Sequence, residues 1–243
     1  MQKDTKPWYA SWFDTPFYHI LYQDRDEKEA AYLINNLLTH LKLSPPAKIL
    51  DLACGKGRHS RYLNNLGYDV VGVDLSQQSI AYAKQYENER LHFEVHDKLD
   101  PLANKFDAIF NLFTSFGYFE DVNDNLRVIE NIKAGLKTNG YGVIDFMNAH
   151  KAKRLLVAEE TKTVDGITFH LKRYVKDNVI FKDISFNFAD KDYHYTERVS
   201  ALKLEDFELF FAKANLELID VFGDFNLSAF DYENSDRLIL IFK

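Results

Sequence analysis

Three acidic residues stand at the ends of successive apolar runs, where carboxylates could take part in binding. Asp51 lies in ILDLACGKG (residues 49–57), Asp74 ends VVGVD (70–74), and Asp97 follows HFEV (92–95). In an open α/β sheet, ligands bind beyond the carboxyl ends of the strands. If these runs are neighbouring parallel strands, the three carboxylates therefore frame one binding site.

The two glycines after the first run restrict the choice of ligand. A dinucleotide site requires G-x-G-x-x-G, whereas the residues from Gly55 to Ser60 read GKGRHS and lack the third glycine. The sequence also does not match a phosphate-binding P-loop, because no Gly-Lys-Ser/Thr stands at the required spacing. A carboxylate at Asp51 would repel a pyrophosphate but suits a ligand that carries an ammonium and a sulfonium.

The other two acids complete this description. Asp74 can accept hydrogen bonds from both hydroxyls of a ribose, and Asp97 from an exocyclic adenine amine. Together the three acids frame a cationic adenosine derivative with a free amino acid end, and S-adenosylmethionine fits it. The alternative is that each acid only caps the helix after it, but three acids at successive strand ends favour a ligand.

Alternating strands and helices predict a parallel sheet with helices on both faces. Strands are predicted at 48–52, 68–73, 91–95, 106–112, 141–146, 216–222 and 237–242, and helices at 26–42, 58–66, 76–86, 122–136 and 204–214. Residues 1–24 are aromatic-rich and are expected to be irregular. Between about 160 and 203, period-two alternation and the turn signal Asp165-Gly166 predict an inserted antiparallel β-layer.

Four segments resemble the successive motifs of the class I S-adenosylmethionine-dependent methyltransferases. They are DLACGKG, VVGVDLS, FDAIFNLFTSFGYFED and LKTNGYGVIDFMN, and the resemblance covers residues from about 26 to 150. Ala53 and Asn139 depart from the usual glycines. The resemblance implies a Rossmann-like, seven-stranded, mainly parallel sheet whose last strand is antiparallel, in a single domain spanning 1–243. The β-layer and SFGYF look like small-molecule members such as amino-sugar N,N-dimethyltransferases and, more distantly, glycine N-methyltransferase.

The resemblance also implies which residues meet the cofactor. Residues 1–25 would fold as a lid, from which Tyr18, Tyr22 or Arg25 reaches the cofactor carboxylate. The full predicted cofactor-binding set is Tyr18, Tyr22, Arg25, Asp51, Ala53, Cys54, Gly55, Gly57, Arg58, Asp74, Leu75, Ser76, Asp97, Asn111, Leu112 and Phe113.

Methyl transfer proceeds by in-line displacement, for which placement and exclusion of water can supply most of the rate. A general base is needed only if the acceptor arrives protonated. The candidates are Tyr118, His150 and His194, with His19 as a further histidine near the expected lid. Tyr118 could equally pack against the adjoining helix, as is expected for Phe119. Cys54 has no partner for nucleophilic catalysis, and no metal-ligand spacing is present.

The amino-acid composition limits the possible partners, cellular location and class of function. A net charge of −7 argues against nucleic acid as the main partner, and the single cysteine fits a reducing compartment. No signal peptide or membrane span is evident, so a cytoplasmic location is expected. The leading prediction is an enzyme that methylates a nitrogen or oxygen of a small molecule. The alternatives are a protein or RNA methyltransferase, a non-catalytic S-adenosylmethionine-binding module and, more remotely, a dinucleotide-dependent reductase. Oligomeric state stays open.

Overall fold

The computed structural model of the protein describes residues 7–23 and 27–243. The strands are β1 (Lys48–Leu52), β2 (Asp69–Asp74), β3 (Leu91–Val95), β4 (Phe106–Asn111), β5 (Leu136–Met147), β6 (Glu159–Val164), β7 (Ile167–Lys176), β8 (Val179–Phe188), β9 (Lys191–Ser200), β10 (Leu218–Phe222) and β11 (Arg237–Phe242). The helices are α1 (Trp8–Trp12), α2 (Pro16–Leu21), α3 (Glu27–Leu41), α4 (Arg58–Asn65), α5 (Gln77–Ala83), α6 (Val122–Gly135), α7 (Ala149–Arg154) and α8 (Leu204–Ala214).

Seven of the strands form one sheet in the order β10-β11-β5-β4-β1-β2-β3. The pairs β1–β2, β1–β4, β2–β3 and β4–β5 are parallel, whereas β11 runs antiparallel to both β5 and β10. This arrangement confirms the predicted fold class, including the antiparallel last strand.

The central strands are apolar because helices cover both faces of the sheet. In β1, Leu50 and Leu52 join the apolar cluster on one face, which also contains α6 and α8 side chains. Ile49 joins the cluster on the other face, with side chains of α3 and α4. The packed sheet is therefore the core of the fold, and it fixes the positions of the residues at the strand ends.

The inserted layer is a second antiparallel sheet in the order β6-β7-β8-β9. The turn at Asp165 and Gly166 places both residues at positive φ, 49° and 77°, as the short hairpin requires. One face of this sheet packs on the N-terminal helices through a third apolar cluster that includes Trp12, Leu21, Phe169 and Phe186.

The described part of the N-terminal segment is helical, so the expectation of an irregular segment is wrong there. Thr15 accepts a hydrogen bond from the Tyr18 amide (3.2 Å) and caps α2, and Pro16 occupies the first helical position. This Thr-Pro pair is the local signal that could have revealed α2. None of the helices formed by the described residues combines the length and apolar character needed to span a bilayer.

Candidate functional site

The turn after β1 forms one wall of a cavity of about 400 Å³. Ala53, Gly55 and Gly57 all have positive φ, and the turn is held to β2 by the Cys54 amide, which donates to the Val73 carbonyl (2.9 Å). A side chain added at Gly55 would meet nothing within 4 Å, so the backbone here is open to a ligand. Ala53, Cys54, Gly55 and Arg58 line the cavity, as predicted.

Gly57 is required for a different reason from the one that the sequence suggested. A Cβ at this position would lie 2.6 Å from the Phe93 ring, and the residue is not in the cavity wall. The second glycine therefore permits close packing of the turn on β3.

Asp74 lies in the cavity wall at the end of β2, together with Leu75. Its carboxylate accepts hydrogen bonds from the Gly55 amide (2.8 Å) and the Ser76 amide (2.8 Å). Burial nevertheless raises the pKa of this carboxyl. Asp74 thus ties the first turn to the second strand and presents a carboxylate to the cavity. Ser76 itself is buried outside the wall, where its hydroxyl caps α5 by accepting from the Ser79 amide (3.0 Å).

Asp97 and Asp51 differ in whether their side chains reach the cavity. Asp97 lines the cavity, as expected, and also accepts a hydrogen bond from the Leu99 amide (2.9 Å). Asp51 does not line it: the side chain is buried and accepts a hydrogen bond from the Ser60 hydroxyl of α4 (2.6 Å). Burial raises the pKa of Asp51 to about 6. Two of the three acids therefore line the cavity, whereas the third does not, because the Asp51 side chain is turned toward α4.

The loop after β4 adds Leu112 and Phe113 to the wall, but not Asn111. Asn111 is buried below the cavity, where its amide donates to the Leu52 carbonyl (2.8 Å) and so bridges the ends of two strands. This position supports the wall rather than forming it.

A buried ion pair that the sequence analysis missed holds this loop in its conformation. Phe113 and Thr114 both have left-handed backbones, with φ of 56° and 58°. The Phe113 amide donates to Asp145 (2.7 Å), and Arg237 donates both to Asp145 (2.7 Å) and to the Thr114 hydroxyl (3.0 Å). Asp145 is fully buried in β5, so the pair fixes two strained residues from the neighbouring strands.

Aromatic side chains of α1 and α2 cover the cavity. Its wall here contains Tyr9, Phe13, Tyr18, His19, Tyr22 and Gln23. Tyr22 lines the cavity, and its hydroxyl also donates to the Glu197 carboxylate of β9 (2.7 Å) and accepts from Lys182 of β8 (2.6 Å). Arg25, the third residue predicted in the lid, lies outside the described residues.

Side chains on both sides of this cover hold it in place. Asp14 accepts hydrogen bonds from the Ser76 hydroxyl (2.6 Å) and the Gln78 amide (3.0 Å) at the start of α5. On the other side, the Trp12 indole donates to Glu197 (2.7 Å). The cover is therefore attached both to the start of α5 and to the inserted layer.

Of the three candidate bases, only Tyr118 lines the cavity. Its hydroxyl donates to the Thr114 carbonyl, and its ring contacts Trp8 and Phe13. Phe119, by contrast, is buried in the core, as expected.

The two predicted histidines lie elsewhere. His150 lies 2.9 Å from the Glu233 carboxylate and packs on Tyr232. His150 does not line the cavity, and neither do these two partners. His194 borders a separate surface depression between α1 and β9. Neither histidine lines the cavity, so the structure does not bring them to the site. His19 lies in the wall, and so do His59, His96 and Lys98, which the sequence analysis did not single out.

Among the described residues, neither the one cysteine nor a cluster of metal ligands supplies reactive chemistry to the cavity. Burial raises the pKa of the Cys54 thiol well above its ordinary value, which keeps the thiol protonated at neutral pH. Across residues 7–23 and 27–243, no group of three or more His, Cys, Asp or Glu side chains is placed to hold a metal ion.

Comparison with known proteins shows similarity to methyltransferases over part of the chain. Residues 49–140, which run from β1 into β5, match the family model described as a methyltransferase domain. A probable S-adenosyl-L-methionine-dependent methyltransferase, TehB of Haemophilus influenzae, is 34% identical over 107 residues, which are 42% of this chain and 37% of TehB. Residues 49–140 therefore form a methyltransferase domain of the S-adenosylmethionine-dependent kind. It spans less than half the length of the curated relatives that it matches first.

Solved methyltransferase structures share the fold over nearly the whole chain. An S-adenosylmethionine-dependent methyltransferase from Clostridium acetobutylicum superposes with a TM-score of 0.79 at 22% identity, covering 93% of this chain and 95% of the other. CalS10, an amino pentose methyltransferase from Micromonospora echinaspora with S-adenosylmethionine bound, gives 0.70 at 17% identity, covering 94% and 96%. At these identities the likeness concerns the fold.

The residues of the cavity fit S-adenosylmethionine, the cofactor of the similar methyltransferases. The open backbone at Gly55 leaves room for a ligand against the first turn. Asp74 and Asp97 present two carboxylates in the wall that can accept from hydroxyl and amine groups. The cavity is also within the size range of small-molecule sites. The chemistry of this wall therefore agrees with an adenosine derivative.

Proposed function

We propose that this methyltransferase transfers the methyl group of S-adenosylmethionine to a nitrogen or oxygen of a small molecule. The observation that carries the proposal is the aromatic cover. Tyr9, Phe13 and Tyr18 of the N-terminal helices and Tyr118 line the same cavity as the two carboxylates. A site covered in this way suits a compact acceptor better than a folded protein or an RNA, which needs an open groove.

Each part of the wall has a separate task in this proposal. S-adenosylmethionine, when bound, supplies an electrophilic methyl group on a sulfonium. Asp74 and Asp97 would hold the adenosine portion, and the turn from Ala53 to Gly55 would hold the amino acid portion. The cover would limit the access of water to the bound cofactor, so that orientation of the acceptor would supply much of the rate.

Tyr118 stays the candidate for contact with the acceptor. Because its hydroxyl donates to the Thr114 carbonyl, its oxygen can accept a hydrogen bond from an acceptor amine or hydroxyl. That contact would position the acceptor without requiring the tyrosine to ionise.

Two of the similar structures support a small acceptor by their printed descriptions. CalS10 is an amino pentose methyltransferase, and KedS8 from Streptoalloteichus is a sugar N-methyltransferase. KedS8 covers 92% of this chain with a TM-score of 0.70 at 20% identity.

The first test is titration calorimetry with S-adenosylhomocysteine. We expect wild type to bind and Asp74→Ala to bind about 100-fold more weakly, since the change removes charge-assisted hydrogen bonds of roughly 1.5–3 kcal/mol each. Asp69→Ala is the matched control: it lies at the opposite end of the same strand and should bind like wild type. Absence of binding to folded wild type would refute the proposal.

The second test identifies the class of acceptor. Wild type is incubated with methyl-labelled S-adenosylmethionine and, separately, with small amines, amino sugars, hydroxy acids, total RNA and cell protein. Label in a small molecule supports the proposal. Label confined to RNA or protein would replace it with the macromolecular alternative, and binding without any transfer would favour a non-catalytic module.

A further inference from the structure

Lys98 places a cation in the cavity wall directly after Asp97. Its ammonium donates to the Ser115 carbonyl (2.6 Å) and lies 5.0 Å and 5.1 Å from the ring centres of Tyr118 and Phe119. The charge thus stands beside the aromatic wall that we assign to the acceptor.

Part of the hydrogen-bonding capacity of this ammonium is unused. An ammonium has three N–H donors, and within residues 7–23 and 27–243 its hydrogen bond to Ser115 is the one recorded. Among the described residues, Asp74 and Asp97 act on it through their charge, and no ion pair with a carboxylate is formed. A cation in a cavity wall with free donors is a site for an anionic oxygen.

Burial and the nearby acids act in opposite directions on Lys98. Burial lowers its pKa to about 8, while the charges of Asp74 and Asp97 limit the fall. At pH 7 the group therefore keeps its proton and remains a cation. In a poorly solvated wall this charge would oppose an acceptor that carries its own ammonium.

We propose that Lys98 is a specificity-determining residue that selects a small, flat acceptor carrying a carboxylate over one of the same shape carrying an ammonium. The aromatic rings of Tyr9, Phe13 and Tyr118 supply flat apolar surface, and Lys98 supplies the countercharge. This inference rests on the proposed function and narrows its acceptor class.

A competing explanation is that Lys98 only balances the charge of Asp74 and Asp97 for the benefit of the cofactor. The two explanations differ in which ligand loses affinity when the charge is removed. Loss of S-adenosylhomocysteine binding would indicate the cofactor, and loss of carboxylate binding would indicate the acceptor.

The test uses benzoate and benzylamine, two flat probes of similar shape and opposite charge. Each is titrated by ligand-observed NMR into wild type saturated with S-adenosylhomocysteine at pH 7. We expect benzoate to bind at least about tenfold more tightly than benzylamine. In Lys98→Met this preference should disappear, with S-adenosylhomocysteine affinity within about threefold of wild type.

Two further variants keep the test decisive. Lys98→Arg retains the charge and should retain the benzoate preference, so it also covers the case in which Lys98→Met folds poorly. Lys191→Met removes a lysine that lies over the Tyr193 ring in the inserted layer, outside the cavity, and should change nothing.

The outcomes separate this inference from the proposed function. If S-adenosylhomocysteine fails to bind wild type, the proposed function and this inference both fall. If it binds but benzoate shows no preference over benzylamine, or keeps its preference in Lys98→Met, only the role of Lys98 is refuted. A large loss of S-adenosylhomocysteine binding in Lys98→Met would also refute it, in favour of a cofactor role.

Discussion

The floor and the roof of the cavity are built in different ways. The floor consists of residues that follow a strand directly, such as Gly55, Asp74 and Leu112, so the hydrogen-bonded sheet fixes their positions. The roof consists of α1 and α2, which have five and six residues. Helices of this length are not stable alone in water. The roof therefore depends on side-chain contacts with distant parts of the chain.

These distant contacts combine an apolar cluster with the inserted layer and a few polar bonds. Trp12 and Tyr22 both bond Glu197, which lies 185 and 175 positions away in the sequence. We therefore expect a substitution below the floor to lower the global stability of the fold. A substitution that weakens the contacts of the roof should mainly change the rates at which ligands bind and leave. Three further predictions test this division.

The largest effect is expected under the floor, from Asp145→Ala. The substitution leaves Arg237 without its buried partner and releases the backbone of Phe113, which should lower the free energy of unfolding by about 3–5 kcal/mol. Urea denaturation followed by circular dichroism measures it. Glu160→Ala breaks the exposed pair with Arg173 and is the control, expected to cost less than about 1 kcal/mol. Equal losses in the two variants would contradict the division.

A smaller effect is expected from the cation between floor and roof. The pKa of Lys98 is about 8 in the folded protein against 10.5 ordinarily, so between these pH values the unfolded chain binds more protons. Stability that depends on Lys98 must therefore rise with pH across this window. We expect wild type to gain about 2 kcal/mol relative to Lys98→Met between pH 7.5 and 9.5.

Denaturation curves of both proteins at the two pH values provide this measurement. Using the difference between the proteins cancels the titration of all other groups that the two share. A constant difference would show that the ammonium is solvated in the folded state, and that the roof does not shield it.

The smallest effect is expected from Glu197→Gln in the roof. The substitution weakens the bonds to Trp12 and Tyr22 but keeps the size of the side chain. Loss of about 1.4 kcal/mol from closure would raise the dissociation rate of S-adenosylhomocysteine about tenfold, with little change in global unfolding. Stopped-flow fluorescence follows the release. Glu120→Gln, on the exposed partner of Arg198, should release the ligand at the wild-type rate. A large loss of global stability would instead make the roof part of the core.

The sequence by itself determined most of the central sheet. Strands β1, β3 and β11 and helix α8 begin and end at the predicted residues, because each is a short apolar or amphipathic run bounded by turn residues. The hairpin at Asp165 and Gly166 is confirmed for the same reason: its signal is local. Asp74 and Asp97 also reach the cavity wall as predicted, since a residue that ends a parallel strand has little choice of position.

Other features were decided only by tertiary structure. Asp51 was predicted beside the ligand, but Ser60 holds it beneath the wall, and His150 pairs with Glu233 away from the site. The Asp145–Arg237 pair and the place of Lys98 beside Tyr118 join residues that no local pattern relates. Strand ends follow from periodicity over a few residues, whereas the direction of a side chain and its partner depend on elements that meet only when the chain has folded.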